Sequence, residues 1–168
     1  GVAGNAFLTL YEDFTGRKTI LNLRSSANWI PEGEDEAPIF ERYFLGGRNL
    51  RGFDYRGVSP RGFKPGANPG DPPRKSDDPA GGTWSFFAGA EIEQPLIQEI
   101  ISGVVFIDSG TVTNDPGFSE YRVSAGVGIR LYIQQLSPVP LAFDFGFPLQ
   151  KQDGDQTQLF SFSLDLPF

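Results

Sequence analysis

The 168-residue sequence contains no cysteine, no histidine and no methionine. Without cysteine, disulfides and thiolate metal sites are excluded. Without histidine, the chain lacks the commonest general base and the commonest transition-metal ligand. A complete translation product starts with methionine, so the chain is expected to be a processed or excised piece of a longer one. No signal peptide is visible, as expected of a mature C-terminal portion. Positive charge is also scarce: 14 Lys and Arg stand against 21 Asp and Glu, for a net charge of −7. Nucleic acid is therefore disfavoured as a partner, because phosphate binding needs a basic face. Finally, no run of about 18 apolar residues exists, which excludes a transmembrane helix. It does not exclude a membrane barrel, whose strands need only about 9–11 residues of alternating character.

What is present is glycine (21), proline (14) and an aromatic share of 14%. The aromatics argue against disorder despite the Gly and Pro content. Seven segments read as strands and almost nothing reads as helix. In "RVSAGVGIRLYI", Val123, Ala125, Val127, Ile129, Leu131 and Ile133 fall on one face, and Arg122, Ser124, Gly126, Gly128, Arg130 and Tyr132 on the other. Period two held this long exceeds the usual soluble strand. "VPLAFDFGF" sets Val139, Leu141, Phe143, Phe145 and Phe147 against Ala142, Asp144 and Gly146. "TWSFFAGAEIE" and "SGVVFIDSG" alternate likewise, with Glu91 and Asp108 on their polar sides. "LFSFSLDLPF" closes the chain with Phe160, Phe162, Leu164, Leu166 and Phe168 on one side. "AFLTLYEDF" and "KTILNLRSSANW" are less regular strands near the start. The turn signals "DFTGRK", "NDPG", "LSPVP" and "QDGDQ" separate several of these segments and predict an antiparallel meander.

One connection stands apart. From about Ile30 to Gly82 the connection runs some fifty residues, with neither helical nor strand periodicity over Glu41–Gly62, and connections beyond about 15 residues are usually functional or disordered. Its middle, "ERYFLGGRNLRGFDYRGVSPRG", combines Arg42, Arg48, Arg51, Arg56 and Arg61 with many glycines and aromatic rings. Its distal part, "KPGANPGDPPRKSDDPAGG", has the composition of a solvated, mobile excursion.

Patterning alone leaves two architectures open. A soluble β-sandwich binding module also has period-two strands. A membrane barrel explains why the face opposite the hydrophobes carries Gly, Ser and buried-type charges rather than a solvated Lys, Thr and Glu surface.

The residues themselves carry a resemblance. "LRGF" (Leu50–Phe53), preceded by "YFLGG", resembles the VRGF-type motif of the BamA superfamily of outer-membrane barrels, also called the bacterial surface antigen family. "FIDSGTV" resembles the family's F-x-D-x-G strand, and "AGVGIRLYIQQLSPVPLAFDFGFPLQKQDGD" its penultimate hairpin. The chain ends in Phe as family members do, and the pieces occur in family order from about Glu41 to Phe168.

The resemblance implies an all-β fold: the last seven strands of a sixteen-stranded transmembrane barrel, residues 1–168, with a lumen-entering loop over about 30–82. POTRA modules and the N-terminal strands would lie elsewhere. It implies a loop lock in which Arg51, flanked by Gly52 and Phe53, bridges Asp108 and Glu91, with Phe106 packed against it and Gly110 completing the strand motif. An arginine in a confined interior needs carboxylate partners, since it cannot shed its charge. The alternating Phe160, Phe162, Leu164, Leu166 and Phe168 resemble the signal strand by which such barrels are recognised during insertion, although Ser163 stands near the customary glycine and Pro167 removes a donor. The implied activity is folding and insertion of β-barrel proteins at the bacterial outer membrane, without catalysis, metal or cofactor. Implied partners are the missing barrel strands, unfolded outer-membrane proteins, outer-membrane lipid and accessory lipoproteins. A two-partner-type polypeptide secretion pore is the alternative within the family.

Overall fold

The computed structural model describes residues 1–13, 16–31, 37–66, 70–97, 100–133 and 140–164. Eleven strands follow in chain order: β1 (Val2–Glu12), β2 (Lys18–Trp29), β3 (Gly52–Phe53), β4 (Arg61–Lys64), β5 (Arg74–Pro79), β6 (Trp84–Ile97), β7 (Ile101–Thr113), β8 (Arg122–Leu131), β9 (Leu141–Gln150), β10 (Thr157–Gln158) and β11 (Phe160–Leu164). Seven of them build one sheet in the order β1-β2-β6-β7-β8-β9-β11, every neighbouring pair antiparallel. This is the expected meander. Among the described residues, β1 and β11 each pair along one edge only.

The sheet is inside out relative to a soluble protein. Along β8, Val127 and Ile129 are 52% and 50% exposed, while Arg130 is 3% exposed, and Asp108 on β7 is completely buried. A β-sandwich would cover the apolar rows with a second sheet. No such layer exists here among the described residues, and the sandwich alternative fails on that point. What covers the polar face is the long connection. Leu45, Leu50, Phe53 and Val58 from that connection pack against Phe87 and Val112 on the polar side of the sheet, forming a small apolar core between loop and wall.

The connection is more ordered than its composition suggests. Its distal part was expected to be a solvated, mobile excursion; most of its described residues are exposed, yet β5 folds back on β4 as a hairpin, with Phe63 opposite Lys75 and Lys64 opposite Arg74. Local bonds supply what the composition hides. The Ser76 hydroxyl accepts from the Asp78 amide at 3.0 Å and donates to its carboxylate at 2.7 Å, and Arg61 donates to the Asp77 carbonyl at 3.0 Å.

Candidate functional site: a loop tip held in a charge cluster

Two contacts bring the loop back onto the sheet. Gly52 has φ +93°, a backbone state that side-chain-bearing residues rarely adopt. It lies directly on Gly146 of β9: a Cβ on Gly146 would sit 2.5 Å from the Gly52 nitrogen and 2.8 Å from the Arg51 carbonyl carbon. Glycine at both positions permits this backbone-on-backbone approach. Beyond it, Thr157 and Gln158 pair with Phe53 and Gly52, and the Asp54 amide donates to the Gln156 carbonyl at 2.9 Å. Within the loop, Gly47 donates to the Phe53 carbonyl at 2.8 Å, and Leu45 and Val58 exchange two backbone bonds at 3.1 Å.

This path delivers Arg51 to the polar face. Its Nε donates to Asp108 Oδ2 at 2.7 Å, its Nη2 to Asp108 Oδ1 at 3.0 Å, and its Nη1 to Glu91 Oε2. The Arg51 amide also points at Asp108 Oδ2, 3.3 Å away. Paired, bidentate geometry of this kind is the strong form of a charged hydrogen bond. The guanidinium carbon lies 3.5 Å from the centre of the Phe106 ring. Burial alone would lower the Arg51 pKa. The hydrogen bond to Asp108 and the charges of Asp108, Glu91 and Asp144 outweigh it and push the pKa above the ordinary arginine value. Gly110, two residues along β7 from Asp108, pairs with Arg122 and lies under Leu45 of the loop.

The cluster extends past the three residues expected from the sequence. Arg130 donates to Asp144 Oδ1 at 2.7 Å and to Glu91 Oε2 at 3.0 Å. Asp144 also lies 3.8 Å from Arg51, and Arg24 lies 3.5 Å from Asp108. Three guanidinium groups therefore face three carboxylates, and their formal charges cancel. Arg24, Arg130 and Asp144 carried a readable signal, since each alternates with outward hydrophobes. Their convergence depended on inter-strand register, which sequence does not give. The cluster lines one side of a cavity of about 680 Å³ that also reaches Asn22 and Tyr132.

A second buried pair was missed. Arg122 at the start of β8 forms a fork with Asp155, at 3.0 and 3.1 Å. Asp155 also accepts from the Gln152 amide at 2.8 Å, so "QDGDQ" is a turn organised around an arginine. Arg61 ties the same turn to the long loop by donating to the carbonyls of Gly57, at 2.8 Å, and of Gly154.

On β11, Phe160, Phe162 and Leu164 are exposed on the apolar face. The rings of Phe160 and Phe162 lie 5.2 and 5.1 Å from those of Phe145 and Phe143 on β9. Leu166 and Phe168 lie outside the described residues. Among the described residues, no group of Asp and Glu is arranged to hold a metal ion.

A wall of antiparallel strands with an apolar outside, a charged inside, and a long connection tucked against that inside defines a segment of a β-barrel with an in-folded loop. The sequence model described as "Omp85 superfamily domain" matches residues 2–168, and the chain belongs to this superfamily. Among solved structures, BamA from Haemophilus ducreyi lacking POTRA domains 1–3 superposes with a TM-score of 0.71 at 22% identity, over 95% of this chain and 33% of that one. The likeness establishes a shared barrel fold. The chain spans a third of the length of that structure.

Proposed function

We propose that this chain is the C-terminal part of an outer-membrane assembly factor that folds and inserts other β-barrel proteins. The observation that carries the reading is the tip of the long connection held against the charged wall by Arg51, within a sheet whose apolar face is turned outward. Seven strands leave two open edges, and unpaired backbone groups in lipid cost several kcal/mol each. The remaining strands, about nine if the barrel has sixteen, come from another part of the same protein or from a second chain. In this reading Arg51, with Glu91, Asp108 and Phe106, locks the loop. A lumen with a fixed loop stays shaped while the seam beside β11 pairs with strands of an incoming substrate through main-chain hydrogen bonds. Folding of the substrate supplies the energy, so no nucleotide or cofactor is required.

The resemblance to BamA and the phenylalanine of the R-G-F tip favour an assembly factor over a two-partner-type secretion pore. The test is reconstitution of the whole protein into lipid vesicles with a urea-unfolded outer-membrane barrel protein. Accelerated acquisition of protease-resistant, membrane-inserted substrate is expected. Transfer of an unfolded polypeptide across the bilayer without accelerated insertion would replace this reading with the secretion pore.

A further inference from the structure

The connection between β7 and β8, residues 114–121, folds over the apolar face, and near its end Glu120 stays in contact with Arg122 of the polar one. In register, Trp84 lies opposite Thr113, Phe86 opposite Thr111, and Ala88 opposite Ser109, all on the outward side. The connection reaches each of these levels. The Trp84 indole N–H donates to the Gly117 carbonyl at 3.0 Å, the Thr111 hydroxyl to the Glu120 carbonyl at 2.9 Å, and the Tyr121 hydroxyl to Ser109 at 3.0 Å. The Phe118 ring stands edge-on to Phe86 at 5.2 Å and to Trp84 at 6.5 Å. Thr111 is consequently fully buried on a face where its neighbours Val105 and Ile107 are about half exposed.

After all these contacts Phe118 is still 59% exposed. Trp29 lies beside Trp84 across the β2–β6 pair, so both tryptophans of the chain occupy this one level. Rings with an apolar body and a bonded polar tip concentrate where hydrocarbon meets headgroups. The distances agree with such a level. Between Phe86 and Leu96 the outward row of β6 runs for about ten residues, roughly 33 Å along the strand, with Gln94 near its far end as the one polar member. At a tilt of about 40° that is a height of about 25 Å, the apolar band of a membrane barrel.

We propose that residues 114–121 form a foot seated in the headgroup–acyl boundary of the leaflet on the long-loop side, with Phe118 as its inserted side chain. The exposed Asp115 and Glu120 lie on the same connection and remain in the headgroup layer. The foot rests on the outward face being lipid-facing, as proposed above, and it fixes how deep this wall sits.

The test uses the whole protein in phosphatidylcholine vesicles, with an environment-sensitive fluorophore on a single introduced cysteine in a background without other accessible thiols. Phe118→Cys reads the foot, Val127→Cys the middle of the wall, and Phe63→Cys the long loop. Ser119→Cys repeats the foot measurement with the Phe118 ring intact. Quenching lipids carry a nitroxide either near the headgroup end of the acyl chain or near its terminus. At positions 118 and 119 the shallow nitroxide is expected to quench more than the deep one, with the reverse order at 127 and no quenching at 63. Quenching at 127 with none at 118 and 119 would overturn the foot alone, as would stronger deep than shallow quenching there. No quenching at 127 would overturn the lipid-facing reading itself.

Discussion

Replacing Arg51 with alanine removes a buried cation from between two buried carboxylates. Asp108 then keeps Arg24, at 3.5 Å, and the backbone amide of residue 51, at 3.3 Å, and Glu91 keeps Arg130, at 3.0 Å. Deleting one member of a buried ion pair costs about 3–5 kcal/mol, because the charge left behind is no longer compensated. Since a neighbouring guanidinium remains near each carboxylate, we take the lower end, about 3 kcal/mol. That corresponds to a roughly hundredfold rise in the population with the loop undocked. Native-state hydrogen exchange on the whole protein in micelles reads this directly. The Leu45, Gly47 and Phe53 amides, bonded only within the loop region, should lose about two orders of magnitude of protection. Amides in the middle of β7 and β8 serve as the reference and should change little. Arg51→Lys keeps the charge without the fork and should cost about half as much. The charge count makes a sharper check. Arg51→Met alone leaves two guanidinium groups against three carboxylates, whereas Arg51→Met with Asp108→Asn restores the balance and should recover at least about 1 kcal/mol. Loop protection in Arg51→Ala within about threefold of the parent, a difference under 1 kcal/mol, would refute the reasoning.

Further outcomes follow from the same geometry. Gly146→Ala would drive a methyl group into the Gly52 backbone, so the loop should undock as readily as in Arg51→Ala although every charge is kept; protease sensitivity of the loop measures this. Asp155→Ala removes the forked partner of buried Arg122 and leaves it Glu120, whose carbonyl accepts at 2.6 Å and whose carboxylate lies 3.6 Å away, so the turn around Gly154 and its contacts with Arg61 should be destabilised by about 1.5–3 kcal/mol, seen as faster exchange at the Asp54 and Gln156 amides. Phe106→Ala removes the ring under the Arg51 guanidinium and should weaken docking by about 0.5–2 kcal/mol before any packing loss is counted, read from the same loop amides. Because the folded-state pKa of Arg51 is raised, its contribution is complete below the unfolded arginine value and declines only as pH climbs through the higher folded one. Loop docking, corrected for intrinsic exchange, should therefore stay flat from about pH 7 to about pH 10.

The strands were legible because alternation is a property of each segment alone. β8 and β9 declare their two faces without reference to anything else, and the kind of polar residue on the hidden face argued for an enclosed interior. Pairing between distant short segments was not legible. β3 and β10 hold two residues each and meet across about a hundred positions, too little for any periodicity to register. The β4–β5 hairpin was hidden for a different reason: its stability resides in side-chain-to-backbone bonds around Ser76 and Arg61, in a composition that reads as solvated coil. In the cluster, the resemblance to the family singled out Arg51, Glu91 and Asp108. Arg24, Arg130 and Asp144 required knowing that Gly128 lies opposite Asp144 and Arg24 opposite Gly89.

The two-residue pairing of Gly52 and Phe53 with Thr157 and Gln158 leaves a single residue, Leu159, before β11 begins, and the Leu159 carbonyl is itself taken by the Gly146 amide. The same short stretch thus clasps the arginine-bearing tip with one end and launches the final described strand with the other. A displacement of the tip is therefore expected to strain the first rung of that strand, since no slack residue lies between the two.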